Sequence, residues 1–275
     1  MDEILTGKVI VVNGPIVQAV GLTGIKMFDI AEVGPHRLIG EVIRLNGAIA
    51  IIQVYEDNTG LKPGDEVMSY TRPLSVLLGP GLIANIYDGI QRPLVGISEV
   101  CGSYIRKGIK LSPLDENRKW EFQPLVQPGT DVREGTILGE IRESPLVMHR
   151  LLVPPGIYGR LTGIVHGGDY TIKDDIYTVE TGAGKYTGKL AAYWPVRKPR
   201  PSRNRKKPLV PLITGQRIID TFFPIARGGT AAIPGGFGTG KTMTQHALAK
   251  WCNADIIVYI GCGERGNEMT DVLTD

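Results

Sequence analysis

The sequence predicts a multidomain chain: an N-terminal all-β barrel, a β-rich insertion, and the start of an α/β phosphate-loop nucleotide-binding domain. Three observations predict it. Short β-branched runs alternate with Gly, Pro and Asn turn residues over residues 1–75. The same character returns over 111–195 after a different stretch. Finally, Gly235-Gly236-Phe237-Gly238-Thr239-Gly240-Lys241-Thr242 fits G-x-x-x-x-G-K-[ST], the phosphate-binding loop. The divisions expected are 1–75 for the barrel, 76–110 for a first segment of the nucleotide-binding domain, 111–195 for the insertion, and 196–275 for an incomplete phosphate-loop domain.

Lys8 to Val12 is a β-branched run broken by Asn13-Gly14-Pro15, and Ile16 to Val20 is broken by Gly21. Leu38 to Tyr55 holds apolar stretches on either side of Asn46-Gly47, a strong hairpin signal because both residues tolerate positive φ. Lys62-Pro63-Gly64-Asp65 adds another turn. About six short strands at this turn density suit a small closed barrel. It carries no catalytic constellation, so its expected role is assembly.

Gly79-Pro80-Gly81 opens the next segment, where Leu82, Ile83, Ile86 and Ile90 fit one face of a short helix over 82–90. Within 111–195 two stretches look alike, Pro128 to Gly139 and Pro155 to Leu161. Their pattern is similar to the flattened barrels of biotinyl and lipoyl carrier domains. Lys173 is the lysine nearest a carrier position, but its surroundings are not those of a carrier lysine. The expectation is a β-rich insertion on a larger machine.

A phosphate loop needs a strand before it and a helix after it. Thr230-Ala231-Ala232-Ile233 can be the strand, and Met243 to Trp251, rich in helix formers and free of Gly and Pro, the helix. Asp255 to Ile260 reads as a second buried strand of a parallel sheet. The loop glycines let backbone N–H groups curl into an anion cradle, Lys241 can reach the outer phosphates, and the Thr242 hydroxyl can hold Mg²⁺. The positive end of the helix dipole would face the same phosphates. Glu264 follows the second strand, at the sheet end where ligands of open α/β folds sit, so it could orient water against a γ-phosphate. Spacing alone leaves open that it is a solvated loop carboxylate. Only two sheet strands are identifiable, and no Mg²⁺-binding Asp after an apolar strand stands between Thr242 and Asp275. The domain therefore reads as incomplete.

Hydrophobic content of 42% and charged content of 21% are those of an ordinary folded protein. No apolar run approaches the ~18–20 residues that span a bilayer. Met1-Asp2-Glu3-Ile4 is acidic, unlike a signal peptide, so a cytosolic chain that docks on something membrane-bound is expected. Cys101, Cys252 and Cys262 lack metal-ligand spacing and suggest no disulfide framework. Net charge is +3, yet Arg197, Lys198, Arg200, Arg203, Arg205, Lys206 and Lys207 crowd into 197–207 among prolines. This run reads as an extended, solvated connector. Nucleic acid is the sharper alternative, weakened because no aromatic residue lies in the run to stack bases.

Several stretches are familiar in combination: Gly79-Pro80-Gly81-Leu82, Tyr87 to Leu94, Trp194-Pro195-Val196-Arg197, Thr214 to Pro224, the phosphate loop, and Gly261 to Asp271. Together they resemble the catalytic alpha chains of archaeal and bacterial A/V-type rotary ATPases (ATP synthases), over essentially all of this chain and about the first half of a family member. The resemblance implies a RecA-like nucleotide domain that binds ATP or ADP with Mg²⁺. It implies three copies alternating with non-catalytic B subunits around a central shaft, held by peripheral stalks at the cytoplasmic face of the membrane. ATP hydrolysis or synthesis would be coupled through the membrane sector to proton or sodium transport, with no nucleic acid partner. Gly235, Gly236, Phe237, Gly238, Thr239 and Gly240 would wrap the phosphates, Lys241 would neutralise β/γ charge, and Thr242 would hold Mg²⁺. Glu264 would polarise the attacking water and Arg265 would help order the site. An arginine supplied in trans by a B subunit would add roughly 10³–10⁵ in rate. Two positions depart from the usual pattern: Gly236, often Pro or Ala, and Thr239, often Ser or Ala, and Cys in eukaryotic vacuolar members. With Thr239 a disulfide switch through the loop is excluded. A RecA-like nucleic-acid translocase and a non-catalytic assembly fragment are the competing readings.

Overall fold

The computed structural model describes residues 4–202, 204, 206–236 and 238–274, in two compact units, Met1–Pro201 and Ser202–Asp275. The first opens with six strands: β1 (Leu5–Asn13), β2 (Ile16–Val20), β3 (Asp29–Val33), β4 (Leu38–Asn46), β5 (Ile49–Val54) and β6 (Glu66–Pro73). They close into an antiparallel barrel in the order β1-β2-β5-β4-β3-β6. Alternation sends one face inward, so Val17 and Ala19, Ala31 and Val33, and Ala50, Ile52 and Val54 share one core. Register shifts at Val9/Val11, Asp29/Ala31 and Val42/Arg44 bend the strands enough for closure. The expected hairpin forms: Asn46 pairs with Ile49 around Gly47, whose φ is 59°.

After β7 (Ser75–Leu78) the expected helix over 82–90 does not form; the helix is α1 (Leu94–Cys101). The Asp88 carboxylate accepts the N–H groups of Ile90 (3.1 Å) and Arg92 (2.8 Å), fixing a turn where the helix was expected. Ala84 and Gln91 hold φ of 63° and 64°, the wrong hand for an L-residue helix. Pro93, which has no N–H to leave unpaired, then opens α1. Arg92 bridges Asp88 (2.6 Å) and Glu56 (2.7 Å), fastening this turn to the barrel's rim.

The insertion holds β8 (Trp120–Pro124), β9 (Asp131–Val132), β10 (Ile137–Arg142), β11 (Met148–Leu152), β12 (Gly159–Ile164), β13 (Gly168–Tyr170), β14 (Tyr177–Thr181) and β15 (Gly184–Gly188). They make two four-stranded sheets, β11-β10-β8-β13 and β15-β14-β12-β9. Phe122, Leu138, Ile141, Leu161, Ile176 and Val179 lie in the core they enclose. The two similar stretches meet each other: Gly129 N–H donates to Leu161 O (2.7 Å), and Leu161 N–H to Thr130 O (2.9 Å). Lys173 is ion-paired with Glu116. β16 (Ala192–Pro195) then returns to pair with β7, so the end of the insertion lies beside the strand that precedes the 79–110 segment.

The first part of the basic run is engaged rather than solvated as expected of it. Arg197 pairs with Glu41, whose side chain is 2% exposed, and its guanidinium lies 4.3 Å from the Phe28 ring centre. Lys198 reaches Glu134 at 2.7 Å, and Arg200 stacks 4.3 Å from the Trp194 ring. Trp194 Nε1 donates to Lys198 O at 2.8 Å. Arg197, Lys198 and Arg200 are thus held within the first unit, and Lys206 and Lys207 are exposed. Arg203 and Arg205 lie outside the described residues.

The second unit holds a short pair, β17 (Pro211–Leu212) with β18 (Ile225–Ala226), and helices α2 (Arg217–Phe222), α3 (Lys241–Trp251) and α4 (Gly266–Thr274). Asp220 organises the approach to α2, accepting from Thr214 N–H (2.9 Å), Thr214 Oγ1 (2.7 Å) and Gly215 N–H (3.1 Å). The strands expected at 230–233 and 255–260 enter no ladder among the described residues, and Ile256, Ile257, Val258 and Ile260 are exposed. A parallel strand takes its hydrogen-bond partners and its cover from neighbours, and the described part of this unit supplies none. Its described hydrophobic residues are all at least partly exposed. Among the described residues no helix is long and apolar enough to cross a membrane.

Candidate nucleotide site

The phosphate loop runs into α3 with Gly240 as its N-cap, at φ 77° and ψ 19°. Gly238 holds φ 78°. Side chains resist this left-handed region, so glycine at both positions is a backbone requirement. A Cβ on Gly235 would strike Thr239 Oγ1 and come within 3.2 Å of Thr239 Cβ. Thr239 Oγ1 donates to Gly236 O at 2.9 Å, closing the loop on itself. A Cβ on Gly236 would meet nothing within 4 Å, so no close contact in the loop requires glycine there. Phe237 lies outside the described residues.

Lys241 is the first residue of α3 and half-buried; its Cγ lies 3.6 Å from where a Gly235 Cβ would stand, so its stem runs back along the loop. The first turn of α3 is fixed by Thr244, whose N–H and Oγ1 both reach Gly240 O at 2.9 Å. At such a helix start the first N–H groups have no intrahelical partners, which makes a ready anion site.

Thr242 Oγ1 donates to Glu268 Oε2 at 3.2 Å. Glu268 is in the first turn of α4, where the helix dipole favours a carboxylate. The sequence places Glu268 inside the Gly261 to Asp271 stretch, and motif reasoning gives it no role. A signal was available: it follows Glu264 by four residues, a spacing that brings side chains together where the chain is helical. Gly261 packs so tightly against Met269 that a Cβ there would strike the Met269 sulfur, which seats α4 on the Gly261-Cys262-Gly263 turn. Glu264 and Arg265 leave that turn exposed, and Arg265 O accepts Met269 N–H at 3.1 Å.

Tyr259 stands near both carboxylates. Burial raises its pKa first, and the charges of Glu264 and Glu268 raise it further. Its hydroxyl lies 3.4 Å from His246 Nε2 on α3, and the two rings meet edge to face at 5.6 Å. The fold thus brings the loop, Lys241, Thr242 and Glu268 together at the start of α3, and Glu264 is near Tyr259, which faces His246 further along that helix.

These groups suit Mg²⁺. The Thr242 hydroxyl and Glu268 carboxylate are hard oxygen donors within one hydrogen-bond length of each other. Mg²⁺ keeps waters and takes substrate phosphates as ligands, so it needs no all-protein cage. None is present: the described residues hold no cluster of three or more His, Cys, Asp or Glu side chains suited to a metal.

Comparison with known proteins accounts for most of the chain. Residues 9–70 match the beta-barrel domain of the ATP synthase alpha/beta family, 111–197 its barrel-sandwich domain, and 215–275 its nucleotide-binding domain. The chain is 51% identical to the A subunit of the A-type ATP synthase of Methanopyrus kandleri, over 100% of this chain and 47% of that protein. It is 53% identical to the V-type ATP synthase alpha chain of Halothermothrix orenii, over 98% of this chain and 46% of that one. With the V-type ATP synthase alpha chain of Clostridium novyi it shares 53% identity, over 98% and 46%. The chain spans about half the length of the curated relatives it matches.

Proposed function

The chain belongs to the ATP synthase alpha/beta family, and from that premise we propose that it is the ATP-binding portion of the catalytic alpha chain of a rotary A/V-type ATPase. The observation that carries the proposal is the glycine loop capping α3, with the Thr242 hydroxyl joined to Glu268. In this reading Gly235, Gly236, Phe237, Gly238, Thr239 and Gly240 cradle the triphosphate through backbone N–H groups, and Lys241 balances charge on its outer oxygens. Thr242 and Glu268 would hold Mg²⁺, which would supply positive charge to offset that developing on the phosphates. Glu264 accepts a hydrogen bond from the attacking water and aims it, and Arg265 orders the carboxylates around it.

The wider assignment goes beyond the relatives' names, which point to a multi-subunit ATP synthase, and rests on the resemblance to the A/V-type catalytic chains. Non-catalytic B subunits alternate with this chain in a hexamer and supply an arginine in trans, and shaft and stalk subunits transmit rotation. The complex sits peripherally on the cytoplasmic face of a membrane and couples ATP hydrolysis or synthesis to proton or sodium transport. A nucleic-acid translocase is disfavoured because the leading cations of the basic run are engaged by Glu41, Glu134 and Trp194.

Glu264→Gln in the full-length protein of the assembled complex tests the reading. Nucleotide binding should stay intact while turnover falls by roughly 10²-fold or more, the usual worth of a positioned base. Turnover at the parent rate would refute the assignment.

A further inference from the structure

Thr242 and His246 are four residues apart on α3 and therefore share a face. Each contacts one flank of the segment that carries Glu264. Thr242 meets Glu268 on the C-terminal side (3.2 Å), and His246 meets Tyr259 on the N-terminal side (3.4 Å). Between these anchors the chain passes through Gly261 and Gly263, the latter at φ 72°. Glycines give a backbone little stiffness of its own. On the C-terminal side the segment is also seated by Met269 against Gly261 and by the hydrogen bond that Met269 N–H donates to Arg265 O, whereas on the N-terminal side the Tyr259–His246 contact ties it to α3 without involving Thr242, Glu268 or the loop.

We propose that Tyr259, braced by His246, is a positioning residue that holds Glu264 at its working distance from the phosphate loop. This rests on the reading of Glu264 as the group that aims the attacking water. The Tyr259–His246 contact has two separable parts, an edge-to-face ring contact with centres 5.6 Å apart and a hydroxyl facing Nε2. Phenylalanine preserves the first and deletes the second. Burial, and then the charges of Glu264 and Glu268, raise the Tyr259 pKa, consistent with both carboxylates lying near this ring. His246 belongs to the helix that begins at Lys241, so this contact ties Tyr259 to the same helix that the loop caps.

The test uses the full-length protein in its assembled ATPase, with Tyr259→Phe, His246→Ala, His246→Gln and Glu264→Gln. Tyr259→Phe should lower kcat about three- to tenfold, the worth of one hydrogen bond, with KM for ATP unchanged. His246→Ala should match it, and His246→Gln, which keeps a polar group near the Nε2 position, should recover part of the loss. In the Glu264→Gln background Tyr259→Phe should cause no further loss, because its effect passes through that carboxylate. A packing role alone predicts parent kcat for Tyr259→Phe, and that result overturns the proposal. An undiminished loss in the Glu264→Gln background overturns it as well. Glu264→Gln with full turnover would instead remove the functional reading beneath it.

Discussion

Replacing Arg197 by Met should destabilise the first unit far more than an ion pair with a half-exposed partner ordinarily would. Glu41 is the reason: its side chain is 2% exposed, and its Oε2 takes both Arg197 and the Tyr55 hydroxyl, the latter at 3.1 Å. Its Oε1 is buried with no partner among the described residues. Methionine keeps the bulk over Phe28 but leaves a buried carboxylate with a single hydrogen bond. Orphaning one member of a buried pair costs about 3–5 kcal/mol. Arg197 is itself 49% exposed, so water already shares its charge and the figure drops to about 2–3 kcal/mol. For a folded unit of this size that lowers Tm by roughly 4–12 °C. Glu41→Gln should cost only about 1 kcal/mol, since an amide can still accept from Tyr55 and the freed guanidinium turns to solvent. The double variant should therefore be more stable than Arg197→Met alone. Thermal melts of the four proteins decide it. An Arg197→Met loss no larger than about 0.5 kcal/mol, the scale of an ordinary surface substitution, would refute the reasoning, as would a double variant less stable than Arg197→Met.

Three further outcomes follow from particular contacts. Glu268→Ala should raise the Mg²⁺ concentration for half-maximal turnover about tenfold or more, as loss of a carboxylate partner does at other metal sites; an unchanged Mg²⁺ titration would contradict its role. The His149 pKa is lowered from 6.5 by burial, with Arg200 adding to the shift and Glu143 opposing it. Above 6.5 both folded and unfolded chains are neutral there; as pH falls below it the unfolded chain takes the proton first, so stability declines until the folded pKa is passed. Urea unfolding of His149→Gln should show a shallower decline through that window than the parent. Arg106 Nε donates to Cys101 Sγ at 3.2 Å and holds the thiol pKa down. Iodoacetamide should therefore label Cys101 more slowly after Arg106→Ala, and equal rates would refute the pairing.

The features legible in the sequence are those decided locally. The barrel could be read because alternation and turn chemistry act within a few residues, as Asn46-Gly47 shows. The phosphate loop is equally plain, since positive φ at Gly240 demands the residue the motif specifies. The features that escaped depend on distant partners. The apolar spacing over 82–90 suggested a helix, and the Asp88 carboxylate, folding onto Ile90 and Arg92, outweighed it. At Arg197 the sequence reads as solvated because Glu41, which takes it, lies far earlier in the chain. Glu268 was overlooked for the same reason, because its tie to Thr242 spans 26 residues. The runs at 230–233 and 255–260 have strand composition, but a ladder depends on neighbours that composition does not report.

Steady-state ATP turnover by the assembled complex carrying Lys241→Ala tests the central claim most directly. In the proposed reading the loop cradles a triphosphate whose outer charge Lys241 balances, so the variant should lose turnover to background while the complex still assembles. A normally assembled complex that hydrolyses ATP at the parent rate would contradict it.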